Sequence, residues 1–353
     1  MRLPMVRRLV VMTPVLTALA CIPDLPDEVA LVRTPRVIAV RATPAEARPG
    51  TSAVLTALVA APPPEEPRND DIEWSLCRIR KPLTELGPVA QECIDGFATG
   101  GEDFVRLGRG GEARAAIPQD ACRLFGPSAP PAEAGGVAGR PVDPDPSGGY
   151  HLPVILGSGA GTALASVRLA CGVTGVPNAE SVRFTQGYRP NENPTIDRVE
   201  IVGPTGGEGD APRELAGAQV ARGGRITLRA VWTACPRAAT CGDGSCTSGE
   251  SAAACPADCL TQPRGCTGAE SYLWANPDRR VIEERREGIS VAWYASAGTF
   301  DESQTGRAES EPDVAETTNG WVAPNAPGLV RLWLVIRDDR GGVGWLTSDV
   351  VVD

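Results

Sequence analysis

Ten cysteines in two even groups constrain this chain more than any other feature. The sequence holds 11 cysteines in all. Cys21 stands alone near the start. Cys77, Cys93, Cys122 and Cys171 form a group of four, and Cys235, Cys241, Cys246, Cys255, Cys259 and Cys266 form a group of six. Even groups suit an oxidised framework, and disulfides persist in oxidising compartments, so the chain reads as exported. Four cysteines allow three pairings and six allow fifteen. The expected pairs are Cys77–Cys93, Cys122–Cys171 and Cys235–Cys266; the partners of the remaining four stay open.

The N-terminal residues explain why Cys21 stands apart. Arg2, Arg7 and Arg8 precede an apolar run from Leu9 to Ala20, interrupted by Thr13, Pro14 and Thr17. A basic head, an apolar stretch and small residues at the cut describe a secretory signal over residues 1–20. The run is shorter than the roughly 20 apolar residues that a membrane-spanning helix needs. Leu16-Thr17-Ala18-Leu19-Ala20-Cys21 resembles a bacterial lipobox, departing from it at Ala18, where leucine is usual. The resemblance implies diacylglycerol on the Cys21 thiol, cleavage before it and acylation of the new amino group. Two or more acyl chains anchor stably, each buried CH₂ contributing about 0.8 kcal/mol. The expected partner at this end is therefore a membrane, reached through a short tether over residues 21–32. Ile22 after the cysteine, rather than aspartate, points to the cell envelope and specifically the outer membrane.

Composition narrows the fold. The formal charge of −10 is spread along the chain, which favours solubility and argues against a nucleic-acid partner. Lys81 is the only lysine among 34 basic residues, a bias that reads as a GC-rich bacterial genome. With 40 Gly, 33 Pro and no long helix-period stretch, short strands joined by long loops are expected.

Strand signals fall at residues 36–42, 52–59 and 72–80, and resume at 150–156, 163–171 and 181–186 after an irregular middle over 82–147. Arg189-Pro-Asn-Glu-Asn-Pro194 reads as a domain junction. A second series follows at 198–202, 225–233, 290–294, 329–337 and 345–352. Within it, Gly288-Ile-Ser-Val-Ala-Trp-Tyr, Gly298-Thr-Phe, Trp321-Val-Ala-Pro and Gly328-Leu-Val-Arg-Leu-Trp-Leu-Val-Ile-Arg-Asp-Asp-Arg-Gly-Gly342 resemble the polycystic-kidney-disease (PKD) and related immunoglobulin-like repeats of bacterial surface proteins. The resemblance covers 195–353, and the first half shares it thinly. It implies an all-β chain of two immunoglobulin-like antiparallel β-sandwich domains, at 33–190 and 195–353, with long loops and a small disulfide-rich insert at 235–266. Trp74, Trp232, Trp293 and Trp333 are the expected core tryptophans.

Cys241-Gly-Asp-Gly-Ser-Cys246-Thr-Ser-Gly-Glu250-Ser-Ala-Ala-Ala-Cys255-Pro-Ala-Asp-Cys259 resembles a cysteine-rich module of myxobacterial and related secreted proteins. A segment this short buries no core, so covalent staples replace one. Its spacing lacks the paired C-x2-C knuckles of zinc sites. Asp243, Glu250 and Asp258 offer hard oxygens for a structural calcium, with turn capping as the plainer reading. No other cofactor is expected. Asn191-Glu-Asn-Pro194, with Asp338 and Asp339, resembles the acidic interdomain linkers of cadherins over a few residues only; a turn is the expectation there.

No catalytic set emerges. His151 is the only histidine, no Gly-x-Ser-x-Gly elbow occurs, and no pair among the many carboxylates is singled out. The charged run 278–287 reads as a solvated segment with local ion pairs. The sequence therefore predicts a non-enzymatic envelope protein that binds, adheres or scaffolds, its partner an envelope protein or polysaccharide. The rival is a polysaccharide-binding module or polysaccharide-active enzyme, for which exposed Tyr272, Trp274 and Trp321 would supply stacking platforms.

Overall fold

The computed structural model describes residues 29–81, 85, 87–127, 146–159, 161–203, 212–235, 266–311 and 314–353. Cys21, Cys241, Cys246, Cys255, Cys259, Asp243, Glu250 and Asp258 lie outside these residues, so the lipid site and the calcium candidate do too.

The first half contains β1 (Arg36–Thr43), β2 (Glu46–Ala47), β3 (Ser52–Ala60), β4 (Glu73–Cys77), β5 (Phe104–Arg109), β6 (Glu112–Ala116), β7 (Gly149–Ser158) and β8 (Gly161–Ala170). They form a sheet ordered β1-β3-β6 and a second ordered β2-β8-β7-β4-β5. In β3, Ala53, Leu55, Ala57 and Val59 alternate inward with period two and meet Trp74, Leu76, Leu152 and Val154 from the opposite sheet. Three short helices decorate this half: α1 (Gln91–Asp95), α2 (Ala121–Leu124) and α3 (Asn178–Gly187).

The second half contains β9 (Ile196–Val202), β10 (Arg213–Glu214), β11 (Gln219–Val220), β12 (Arg225–Trp232), β13 (Ser271–Asn276), β14 (Val281–Arg286), β15 (Ile289–Ala295), β16 (Thr299–Phe300), β17 (Gln304–Arg307), β18 (Glu316–Val322), β19 (Gly328–Asp338) and β20 (Val343–Val352). Its sheets run β10-β9-β12-β18-β16 and β11-β20-β19-β15-β17, with β13-β14 as a separate hairpin. The core gathers Trp232, Trp293, Trp321, Leu332 and Leu334.

The two halves share one topology. In each, a first strand, a second long strand and a later one make the first sheet: β1-β3-β6 matches β9-β12-β18. The other sheets also match, β2-β8-β7-β4-β5 with β11-β20-β19-β15-β17. Both are antiparallel apart from one two-residue parallel pair, β2 on β8 and β11 on β20, which ties each early segment to the last strand of its own sandwich. The fold is all-β, two immunoglobulin-like sandwiches. Disulfides join Cys77 to Cys93, Cys122 to Cys171 and Cys235 to Cys266, the three pairs expected from the sequence.

Several local expectations are corrected. The irregular middle over 82–147 holds β5, β6, α1 and α2. β6 was illegible because its inward residues are Ala113 and Ala115, too small to register as an apolar period. Residues 181–186 lie in helix α3 rather than a strand. Val182 and Phe184 alternate as strand residues would, yet Phe184 is 1% exposed and Val182 46%. In a strand they would share one face, whereas two positions along a helix point roughly oppositely. The charged run 278–287 contains β14: Arg279 does pair with Glu283 at 2.6 Å, but Ile282 and Glu287 are buried. The tether over 21–32 is docked at its far end. Val32 is fully buried, its N–H donates to the Ala295 carbonyl at 2.8 Å, and the Ala295 N–H returns to Ala30 at 2.9 Å.

The sandwiches pack through outward faces. Ile38 and Ala39 on β1 and Leu58 on β3 meet Trp333 and Val335 on β19, with Tyr294 and Ala292 on β15. Arg41 lies 4.4 Å over the Trp345 ring, and an Arg337 guanidinium N–H donates to the Ile38 carbonyl at 3.2 Å. Trp333 thus belongs to the joint between the sandwiches, whereas Trp74, Trp232 and Trp293 fill the sandwich cores as expected.

Candidate functional site

Beside this apolar contact lies a sealed cluster of charge. Its first-sandwich half begins with cross-strand register: the parallel pairing of β2 with β8 sets Glu46 opposite Arg168. The two form an ion pair at 3.2 Å with both side chains at most 2% exposed. Glu46 also accepts the Tyr188 hydroxyl and the Asn191 backbone N–H, the latter at 2.9 Å. Arg168 donates to the Ser147 hydroxyl at 2.6 Å and to the Arg340 carbonyl at 3.3 Å, which carries the network into the second sandwich.

Arg340 is the centre of that second half. It follows β19, in the turn Asp338-Asp-Arg-Gly-Gly342. Its Nε donates to Glu287 at 2.6 Å, one Nη donates to Glu270, and the other donates to the Arg189 carbonyl at 3.1 Å. The guanidinium lies 5.0 Å over the Tyr272 ring. Glu270 and Glu287 also hold each other's segments: the Glu287 N–H donates to the Glu270 carbonyl at 2.9 Å, and the Glu270 N–H donates to the Glu287 carboxylate at 3.2 Å. Asp338 caps its own turn, accepting the Arg340 and Gly342 N–H groups at 2.9 and 2.8 Å.

Burial dominates the electrostatics of these acids. It pushes Glu270 up to about 7, against the opposing pull of Arg340 and the Cys266 N–H. Burial also lifts Glu287 well above the carboxylate range and raises Asp338. Burial works to lower Arg340, but Glu287 and Glu270 hold it above its ordinary value. Tyr188 is raised, first by burial and then by the negative charge of Glu46.

The structure brings Asn191 and Asp338 together. The Asn191 amide donates to both Asp338 oxygens at 3.2 Å, and Asn193 links the Ala42 carbonyl to the Val343 N–H. The Asp338 oxygens thus face N–H donors, and no group of three or more metal-type side chains occurs among the described residues. A helix–hairpin contact braces the linker from the side. Glu180 and Arg183 of α3 satisfy the N–H and carbonyl of Ile282 on β14, at 2.7 and 3.0 Å.

The aromatic platforms expected for a saccharide surface are not arranged that way. Trp321 is fully buried and Tyr272 nearly so, while Trp274 is half-buried with the Arg285 guanidinium 3.4 Å above its ring. His151 is exposed on β7, its Nδ1 3.4 Å from the Ser166 hydroxyl oxygen.

One sizeable cleft opens at an end of the first sandwich, where β1 begins, β3 ends and the 61–72 loop crosses. It encloses about 840 Å³, with Val37, Val59 and Ile72 as apolar wall and Arg36, Arg68 and Glu66 among its charged lining. Sequence reasoning passed over this loop, although its run Pro62-Pro-Pro-Glu-Glu-Pro-Arg-Asn-Asp-Asp71 is the densest mixture of proline and charge in the first half.

Fold and site together define a two-domain, disulfide-bonded β-sandwich protein. No protein-family model matches the chain, and no curated protein matches it. Among solved structures it is similar to the chicken CNTN1 FN1-FN3 domains, at 10% identity and a TM-score of 0.20 over 90% of this chain and 68% of that one. It is similar to the Yersinia pseudotuberculosis adhesin InvE at 8% identity and a TM-score of 0.18, over 88% of this chain and 58% of that one. A nucleoside hydrolase-related hypothetical protein from Saccharophagus degradans matches 45% of this chain at 11% identity and a TM-score of 0.18. The match spans only 26% of that protein's length. Scores this low carry no inference about function.

Proposed function

We propose that this is a lipid-anchored cell-envelope protein with a non-enzymatic binding, adhesion or scaffolding role. The observation that supports it best is the open, mixed-charge cleft on the end of a sandwich. The second sandwich is packed against the same unit through buried apolar and ionic contacts. Loops at sandwich ends are where rigid β scaffolds carry recognition. The lining combines an apolar wall with cations and carboxylates, chemistry suited to a polypeptide segment with charges of both signs. Anchorage rests on the lipobox-like segment ending at Cys21. Mass spectrometry of protein extracted from its native envelope should find Cys21 as an acylated N-terminus and no free thiol elsewhere. A soluble product with no acyl mass would remove the anchor.

The binding role is tested by capture from envelope extracts, with and without crosslinking. A specific protein partner is expected, and reversing the rim charges with Glu66→Arg plus Arg68→Glu should weaken its capture on the order of tenfold. Capture that ignores the reversal, or no specific partner in either preparation, would overturn the assignment to this cleft.

A further inference from the structure

We propose that the carboxylate cluster around Arg340 is a proton-operated latch between the two sandwiches, tightened by protonation and loosened by deprotonation. The inference is independent of what the cleft binds. It stands first on placement. Glu270 and Glu287 converge on one guanidinium, and the same residue's carbonyl receives Arg168 from the first sandwich. The charged groups around the two glutamates are Arg340 and Asp338 from the turn after β19 and Arg189 from the linker after α3, while Tyr188 and Tyr272 flank Arg340, with Asp339, Arg285 and Glu309 around Tyr272. Arg168, paired with Glu46, reaches the Arg340 carbonyl across the joint. One cation shared by two carboxylates leaves a negative charge that the sealed junction holds poorly, and a proton relieves it.

The sign follows from burial. Glu270 titrates at about 7 in the closed junction and near 4.5 when solvated. A carboxyl group raised in the closed state favours closure below the lower value and loses that contribution as pH rises through the upper one. The opening equilibrium should therefore grow with pH by up to about tenfold per unit for each glutamate that opening solvates, with Glu287 extending the dependence above the range of Glu270. Glu270 and Glu287 interact directly, so the observed midpoint belongs to the pair.

Hydrogen-exchange protection factors read this opening, because they divide out the intrinsic pH dependence of exchange. The amides to follow are those of Asn191, Arg340 and Gly342 at the joint, with Leu334 inside the β19 ladder as reference. In the wild-type chain, protection at the joint should fall by at least about tenfold from pH 4.5 to pH 7.5, while Leu334 holds. Glu270→Gln and Glu287→Gln should each lower the slope, and the double variant should flatten the profile to a few-fold at most. Two results would overturn the latch: a flat wild-type profile, which needs no variant to fold, or a slope unchanged in both glutamine variants.

Discussion

Arg340→Met is expected to destabilise the protein by about 3–5 kcal/mol at neutral pH, measured by urea unfolding. Methionine replaces the volume of the arginine stem, so the loss is electrostatic rather than a cavity effect. The substitution strips Glu270 and Glu287 of their shared cation while leaving both buried, and breaking a buried pair from one side costs that much. The donor to the Arg189 carbonyl disappears as well. Because burial raises both acids, less uncompensated charge remains at low pH, and the loss should be smaller at pH 5 than at pH 8. Adding Glu270→Gln and Glu287→Gln to the same background should recover on the order of 2 kcal/mol, since the uncompensated charges go with them. A loss under about 1 kcal/mol at pH 8 would mean the two acids are not held as the structure places them.

Trp333→Ala is expected to cost about 3–5 kcal/mol as well, with a different signature. Trp333 projects from β19 away from its own sandwich and packs with Val32, Ala60, Ile38 and Leu58. Removing the indole leaves a hole in the joint, whereas Trp293→Ala would hollow the second core. Near-ultraviolet circular dichroism and calorimetry should therefore show one unfolding transition in the wild-type protein and two in Trp333→Ala, with each sandwich still folding. A single transition merely shifted to lower temperature would show that Trp333 stabilises without coupling the halves.

The strand β19 shows how far the sequence alone reaches. Leu329 to Ile336 is apolar except for Arg331, and such a run marks a strand buried on both faces. Its inner face, Val330, Leu332, Leu334 and Ile336, follows from alternation. What covers the other face does not, because the residues that meet Trp333 and Val335 come from about 300 positions earlier and carry no local mark of it. Helix α3 makes the converse point. Its residues alternate as a strand would, and the choice was made by Phe184 reaching Leu273 and Ile282 on the hairpin.

By itself, the sequence determined the all-β class, most long strands of both sandwiches, and Trp74, Trp232 and Trp293 as core residues; it left the cysteine pairing open. These rest on short-range periodicity and residue size, together with the resemblance to immunoglobulin-like repeats. The tertiary structure decided the joint. Glu46, Arg168, Glu270, Glu287 and Arg340 read one by one as ordinary solvated charges, and the run ending at Glu287 reads as surface. Whether a charged side chain is hydrated or sealed depends on partners distant in the chain, and its ionisation follows from that burial. Strand periodicity is a property of neighbouring residues, whereas desolvation is a property of the assembled fold.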